Sequence, residues 1–214
     1  MKKKPHLIIV AGPNGAGKSY LSEKKKLTKE FTADSFDFDL SLGKLMEQFE
    51  GSMNEQLHNN LHIAVGKEFE SIIKSKMIQK ENFSFQTNFD EISVDEHRKD
   101  FAKQGYHTKL YFLYVNSIER CCERVQERVA KGGHHVGKQV IIYKYKKGLE
   151  NLDNYFHRYN HVIILDTSLN KSKPLLEISD GALLFASKHF VDVLKNHHLI
   201  HLHTFLNSQL ERLE

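Results

Sequence analysis

The sequence has little of several things. It holds two cysteines, three prolines and no tryptophan in 214 residues. The cysteines, Cys121 and Cys122, are neighbours in the chain. Neighbours on a helix point in different directions, which argues against a mutual disulfide and a disulfide-stapled secreted scaffold. They read as two small, half-buried side chains. Apolar runs such as Leu7–Ala11 fall far short of the roughly 20 residues that a membrane helix needs. The opening MKKKPHLIIVAG has a basic and then an apolar portion, as a signal peptide has. It runs into a glycine loop rather than a cleavage site, so it is read as structure and the chain as cytoplasmic. No repeat, low-complexity tract or Pro/Gly/Ser linker divides the sequence. These absences exclude membrane, collagen-like and mucin-like classes.

What is there is an ordinary globular composition, 40% hydrophobic and 27% charged. At about 150 residues per domain the length predicts one domain, or one with a small appendage. It is enough to bury a core without a metal or disulfide staple. Net charge is +4, from 31 basic and 27 acidic residues. Lysines gather early, at Lys2, Lys3, Lys4, Lys18, Lys24, Lys25, Lys26 and Lys29. A solvated face explains them more simply than nucleic acid or membrane, and neither is expected as a partner. The 14 histidines include His134 and His135 after a Gly-Gly pair, and His197, His198, His201 and His203 near the end. His197 and His201 have the i, i+4 spacing that could hold zinc on a helix. No cysteine or acidic partner stands close to them, and no metal is assigned there.

Apolar periodicity predicts alternating strands and helices. Strands are expected at Leu7–Ala11, within Phe31–Asp39, and at Phe83–Thr87, Thr108–Val115 and His161–Leu165. Helices are expected at Lys18–Leu27, Met53–Gln79, His97–Gln104, Ser117–Lys131 and Lys138–Phe156. Ser117 is the expected N-cap of its helix, and Gly132–Gly133 its end. Strands spaced by helices of ten or more residues require crossovers and a mostly parallel sheet, here of about five strands. Beyond residue 173 the pattern weakens. Leu175–Ala186 could carry one or two short strands, and Lys188–Asn196 and His201–Leu213 look helical. The expected organisation is a three-layer α/β domain over residues 1–173, with a C-terminal extension over 174–214 packed on it.

The sharpest signal is Gly12-Pro13-Asn14-Gly15-Ala16-Gly17-Lys18-Ser19, which fits G-x-x-x-x-G-K-[ST] between a strand and a helix. Glycines let successive backbone N–H groups turn toward phosphate oxygens, and the helix N-terminus adds partial positive charge. Lys18 is the expected ligand of the β- and γ-phosphates and Ser19 the expected Mg²⁺ ligand. Residues 12–19 with Tyr20 form the candidate ATP site. The loop alone leaves the acceptor open: water, a small molecule or none. No guanine-reading N-K-x-D string occurs, so a small-molecule kinase or a small ATPase remains.

The residues suggest a mechanism. Asp39, at the expected carboxyl end of the second strand, is the candidate general base, and Asp37, two residues earlier, would share its side. The alternative is two ordinary turn aspartates. Arg124 and Arg128, four apart, share one helical face and could clamp the γ-phosphate as a lid. Alternatively they pair with Glu119, Glu123 or Glu127. His134 suits a lid segment or a plain exposed loop.

Several motifs together resemble the zeta-toxin family of phosphate-loop kinases. The chain opens HLIIVAGPNGAGKS, with Asp37-Phe38-Asp39-Leu40 some thirty residues on and then Phe85-Gln86-Thr87-Asn88. An arginine-bearing helix ends in Gly132-Gly133-His134-His135-Val136, a Tyr-x-x-Gly-Leu-x-Asn-Leu pattern runs from Tyr145 to Leu152, and Leu165-Asp166-Thr167-Ser168 closes the last strand. The resemblance covers about residues 6–168. It implies ATP-dependent transfer to a sugar hydroxyl, with UDP-N-acetylglucosamine the acceptor in the best-understood relatives, and an antitoxin partner. It implies substrate contacts at Gln86 and Thr87, with Asp37 and His134 beside them. The sequence departs from the family pattern where Gln86 replaces an acidic residue, Asn88 a threonine, and Val140-Ile141-Ile142-Tyr143-Lys144-Tyr145 an arginine-rich run. An amide cannot carry charge, and lysine is a point charge where arginine is a fork. Two further readings therefore stand: a kinase for another small hydroxyl compound, such as an antibiotic or nucleoside, or a nucleotide-binding module that acts through a partner.

Overall fold

The structure, a computed structural model, describes residues 4–23, 35–48, 54–133, 135–169 and 171–211. Six strands form one sheet in the order β2-β1-β3-β4-β5-β6. The strands are β1 (His6–Ala11), β2 (Phe83–Thr87), β3 (His107–Tyr114), β4 (His161–Asp166), β5 (Lys173–Ser179) and β6 (Ala182–Ala186). The first four in spatial order run parallel, and β5 and β6 run antiparallel beyond β4. At the sheet centre Leu7, Ile9, Val10, Leu110 and Val162 are without exposure. A strand buried on both faces reads as a continuous apolar run, which is why Leu7–Ala11 does not alternate.

Eight helices cover the sheet among the described residues: α1 (Lys18–Glu23), α2 (Phe38–Glu47), α3 (Glu55–Gln79), α4 (Ser93–Lys103), α5 (Ile118–Val129), α6 (Lys138–Tyr155), α7 (Lys188–Asn196) and α8 (Ile200–Leu210). Buried Leu61, Val65, Phe69 and Ile73 form the inner stripe of α3. Ser117 caps α5 by accepting from Arg120 N at 3.1 Å. Buried Asp153 of α6 accepts from His201 N at 3.1 Å and Leu202 N at 2.8 Å, capping α8 from another helix.

The structure corrects the second expected strand. Its residues 31–34 lie outside the described residues. Phe36 makes a single parallel bridge with Phe85, through Phe36 N to Ser84 O and Gln86 N to Phe36 O. The chain is helical from Phe38. Cap chemistry overrides alternation here: Asp37 Oδ1 accepts from Leu40 N at 3.2 Å and starts α2. Phe36 and Phe38 both still rest on Phe69, with ring centroids 5.1 and 4.8 Å away. The sheet therefore reaches six strands by a different route, because β5 and β6 join it directly. Lys173 pairs with Asp166 of β4, and Phe190, Val193, Leu194, Leu202 and Leu206 share the central core. His197 closes α7 and His201 lies in α8, so the two do not share a helix face. No group of three or more His, Cys, Asp or Glu among the described residues could hold a metal ion. No helix among them is long and apolar enough to cross a membrane.

Candidate active site

The site lies at the carboxyl ends of the parallel strands, where open α/β sheets place ligands. The phosphate loop leaves β1 and folds back on itself, with Ala16 N donating to Pro13 O at 3.1 Å. Gly15 has φ +78°, and a Cβ there would lie 2.8 Å from Cys121 O. Only glycine supplies that conformation without strain while letting α5 approach. Asn14 is 4% exposed, and its Oδ1 has no hydrogen-bond partner among the described residues.

Lys18 Nζ donates to Gly12 O at 2.7 Å, Asn88 Oδ1 at 2.9 Å and Pro13 O at 3.2 Å. The residue keeps some exposure along its length, while the ammonium end is enclosed by these three oxygens. Burial pushes its pKa down to about 8. Asp39 and then Asp37 oppose that shift, while Lys144 and Arg128 add to it. The two aspartates, Lys144 and Arg128 thus all act electrically on Lys18.

Ser19 Oγ lies 3.0 Å from Asp37 Oδ2 and 3.2 Å from Gln86 Oε1. Three side-chain oxygens meet there, a donor set suited to a hard cation such as Mg²⁺. Gln86 is buried, at 7% exposure. Thr87 stands beside it, but its hydroxyl accepts locally from Phe89 N at 3.0 Å. Asp37 faces Ser19 while capping α2. Asp39 lies exposed in the first turn of that helix. The two carboxylates therefore divide between a cap and a helix, and do not share one strand face. Gly17 and Tyr20 are exposed at the loop's outer side.

The two arginines differ. Arg124 is fastened beneath the loop, donating to Thr167 O at 2.7 Å, Ser168 O at 3.0 Å and Gly15 O at 3.2 Å. It ties the phosphate loop to the end of β4. Arg128 is half-buried one turn further on, and Gly133 N donates to its carbonyl at 2.9 Å. Its charge reaches Lys18. His134 lies outside the described residues. Burial pushes the Cys121 thiol up to about 12, which makes it a packing residue and no nucleophile.

Sequence reasoning gave Asn88 no role beyond a departure from a pattern. Its place comes from register: Ala11 pairs with Thr87, so the next residue of each strand brings Asn88 beside Gly12. No local motif carries that pairing. Tyr145, Gly148 and Asn151 were visible as a pattern without a purpose. Tyr145 Oη donates to Val115 O at 2.7 Å and Asn151 Nδ2 to Phe89 O at 2.8 Å.

A strand, phosphate loop and helix on a sheet of this order define the P-loop kinase fold, with a nucleotide-binding loop at its centre. The zeta toxin family model matches residues 1–173, and the chain belongs to that family. An uncharacterized protein of Haemophilus influenzae is 22% identical over 138 residues, 64% of this chain and 91% of that one. Among solved structures, the PezAT chromosomal toxin–antitoxin system of Streptococcus pneumoniae superposes with a TM-score of 0.61 at 14% identity, covering 98% of this chain and 89% of that one. The AvrRxo1-ORF1:-ORF2 complex with ATP gives 0.69 at 13% identity, covering 91% and 64%. At such identities these likenesses are of fold.

Proposed function

We propose that the protein is an ATP-dependent kinase that transfers the γ-phosphate to a hydroxyl of a small molecule, with a nucleotide sugar such as UDP-N-acetylglucosamine as acceptor. The observation that carries this reading is the enclosed Lys18 ammonium, set among Gly12 O, Pro13 O and Asn88 Oδ1 beside the Ser19–Asp37–Gln86 oxygen cluster. Residues 12–20 hold the ATP phosphates, with loop N–H groups and the start of α1 facing them. Lys18 exchanges the Gly12 and Pro13 carbonyl oxygens for phosphate oxygens and keeps Asn88 Oδ1 as the acceptor that orients it. Ser19 and Asp37 would hold Mg²⁺, directly or through water, and the ion when bound neutralises charge on the β- and γ-phosphates. Asp39 takes the proton of the acceptor hydroxyl as that oxygen attacks the γ-phosphorus, whose bond to the β–γ bridging oxygen breaks to release ADP. Its exposed place in the first turn of α2, two residues from the Asp37 that meets Ser19, supports this role. Gln86 and Thr87 line the acceptor side. Arg128, with Lys144, supplies positive charge over the transferring group, while Arg124 holds the loop in shape. His134 is proposed as a further contact of the acceptor.

Family membership and the fold likeness to the two complexes support an antitoxin-like protein partner. A second reading, transfer to another hydroxyl compound, is favoured by one feature. Gln86 and Asn88 present neutral amides to the pocket, and each carbonyl already accepts from the loop. The test is mass spectrometry of products after incubation with ATP, Mg²⁺ and a panel of hydroxyl acceptors that includes UDP-N-acetylglucosamine. Lys18→Ala serves as the blank. A phosphorylated nucleotide sugar supports the first reading, and another phosphorylated acceptor the second. ATP binding without any product leaves a binding module.

A further inference from the structure

We infer that α6 is a positioning element of the phosphate site, in which Asn151 and Gly148 hold the Thr87–Phe89 loop so that Asn88 meets the Lys18 ammonium. The inference rests on the reading of Lys18 as a phosphate ligand. Phe89 has φ 64°. A bulky L residue keeps that left-handed conformation only where its surroundings hold it. Here they do so on three sides. Its ring is 1% exposed and packs against Phe112 and Tyr159. Its N–H donates to Thr87 Oγ1 at 3.0 Å. Its carbonyl accepts from Asn151 Nδ2 at 2.8 Å, in a bond shut off from water. Asn151 is itself 4% exposed.

The helix comes this close because of Gly148. A Cβ there would lie 2.7 Å from the Asn88 carbonyl oxygen. Tyr145 Oη anchors the same helix to Val115 O at 2.7 Å, at the end of β3. Residues 145, 148 and 151 follow at three-residue intervals, and so lie along one side of the helix. That side faces the loop whose Asn88 Oδ1 sits 2.9 Å from Lys18 Nζ. The path from α6 to the phosphate loop is thus Asn151, Phe89 carbonyl, Asn88 side chain, Lys18. Asn151 touches neither nucleotide nor acceptor on this path and acts through Asn88 alone.

The test is a double-mutant cycle on the full chain. Asn151→Asp keeps the shape and replaces the donor with an oxygen facing the Phe89 carbonyl. Asn88→Ala removes the acceptor on Lys18. Each single variant is expected to lower kcat about tenfold or more while moving the KM for ATP less than threefold. The double variant is expected to be no slower than Asn88→Ala, because Asn151 works through the group already removed. Asp153→Asn loosens the cap of α8 instead, and is expected to lower the melting temperature without moving kcat. Additive losses in the double variant, or an Asn151→Asp variant that melts lower with unchanged kcat, overturn the inference. If steady-state turnover is too slow to follow, single-turnover transfer rates are measured on the same proteins and the same non-additivity is expected, with ATP affinity by calorimetry staying within threefold throughout. A wild-type chain that binds no ATP overturns the proposed function first and this inference with it. Binding with additive effects overturns this inference alone.

Discussion

The phosphate loop and the wall that faces it are built in opposite ways. The loop is eight consecutive residues, and its turns, its lysine and its serine follow from their order in the chain. The wall is gathered from Asp37 at the cap of α2, Gln86 on β2, Asn88 in the loop after it, Arg124 on α5 and Asn151 on α6. Local chemistry writes the first. Sheet register and helix packing write the second. On the proposed reading, the loop binds phosphate and the wall sets where it goes.

Perturbing each side sharpens that contrast. Lys18→Ala should have the largest effect, lowering transfer at least about 100- to 1,000-fold, the usual penalty for removing a group that meets transition-state charge. A product assay reads it, and the melting temperature should hardly change. Asp39→Asn should lower kcat about 100-fold or more while ATP affinity stays the same, as loss of a general base does. Asp37→Ala should instead cost stability of about 1 kcal/mol through the lost cap, and should weaken Mg²⁺-dependent nucleotide binding. If the two aspartates respond alike, the division between cap and base is wrong.

Gly148→Ala probes the wall alone. Its methyl meets backbone oxygen at 2.7 Å, and an overpacked contact of this kind costs about 1–3 kcal/mol of unfolding free energy, read from the shift of the denaturant midpoint. The smallest effect concerns pH. Burial holds His107, His157 and His197 below the ordinary histidine pKa. The unfolded chain, with pKa near 6.5, then takes up protons before the folded one does. The stability from these groups is present above that value and declines as pH falls through it toward the lowered folded values. Thermal melts at pH 7.5 and pH 5.5 check this, with the lower melting temperature expected at pH 5.5. An unchanged or higher value there contradicts it.

Much of the frame was legible in the residues. Phe83–Thr87 and Lys188–Asn196 fall where periodicity sets them, because each is a short segment bounded by clear breaks. Phe36 and Phe38 misled, since alternation and a capped helix both turn them toward Phe69, and only the Asp37 cap decides between the two. The tail was faint because β5 and β6 take their place from pairing with β4, a contact no local pattern announces. At the site, Arg124 and Arg128 look equivalent by spacing. Packing separates them, since only the first reaches the carbonyls of Gly15, Thr167 and Ser168. Asn88 needed the β1–β2 register, and the Tyr145, Gly148 and Asn151 pattern needed the fold before it had a meaning.

The most direct measurement is the mass of the acceptor after incubation of the wild-type chain, Lys18→Ala and Asp39→Asn with ATP, Mg²⁺ and UDP-N-acetylglucosamine. One added phosphoryl group is expected on the nucleotide sugar with the wild type and none with either variant. ATP bound tightly by the wild-type chain, with no phosphorylated product from this or any other hydroxyl acceptor, would contradict it.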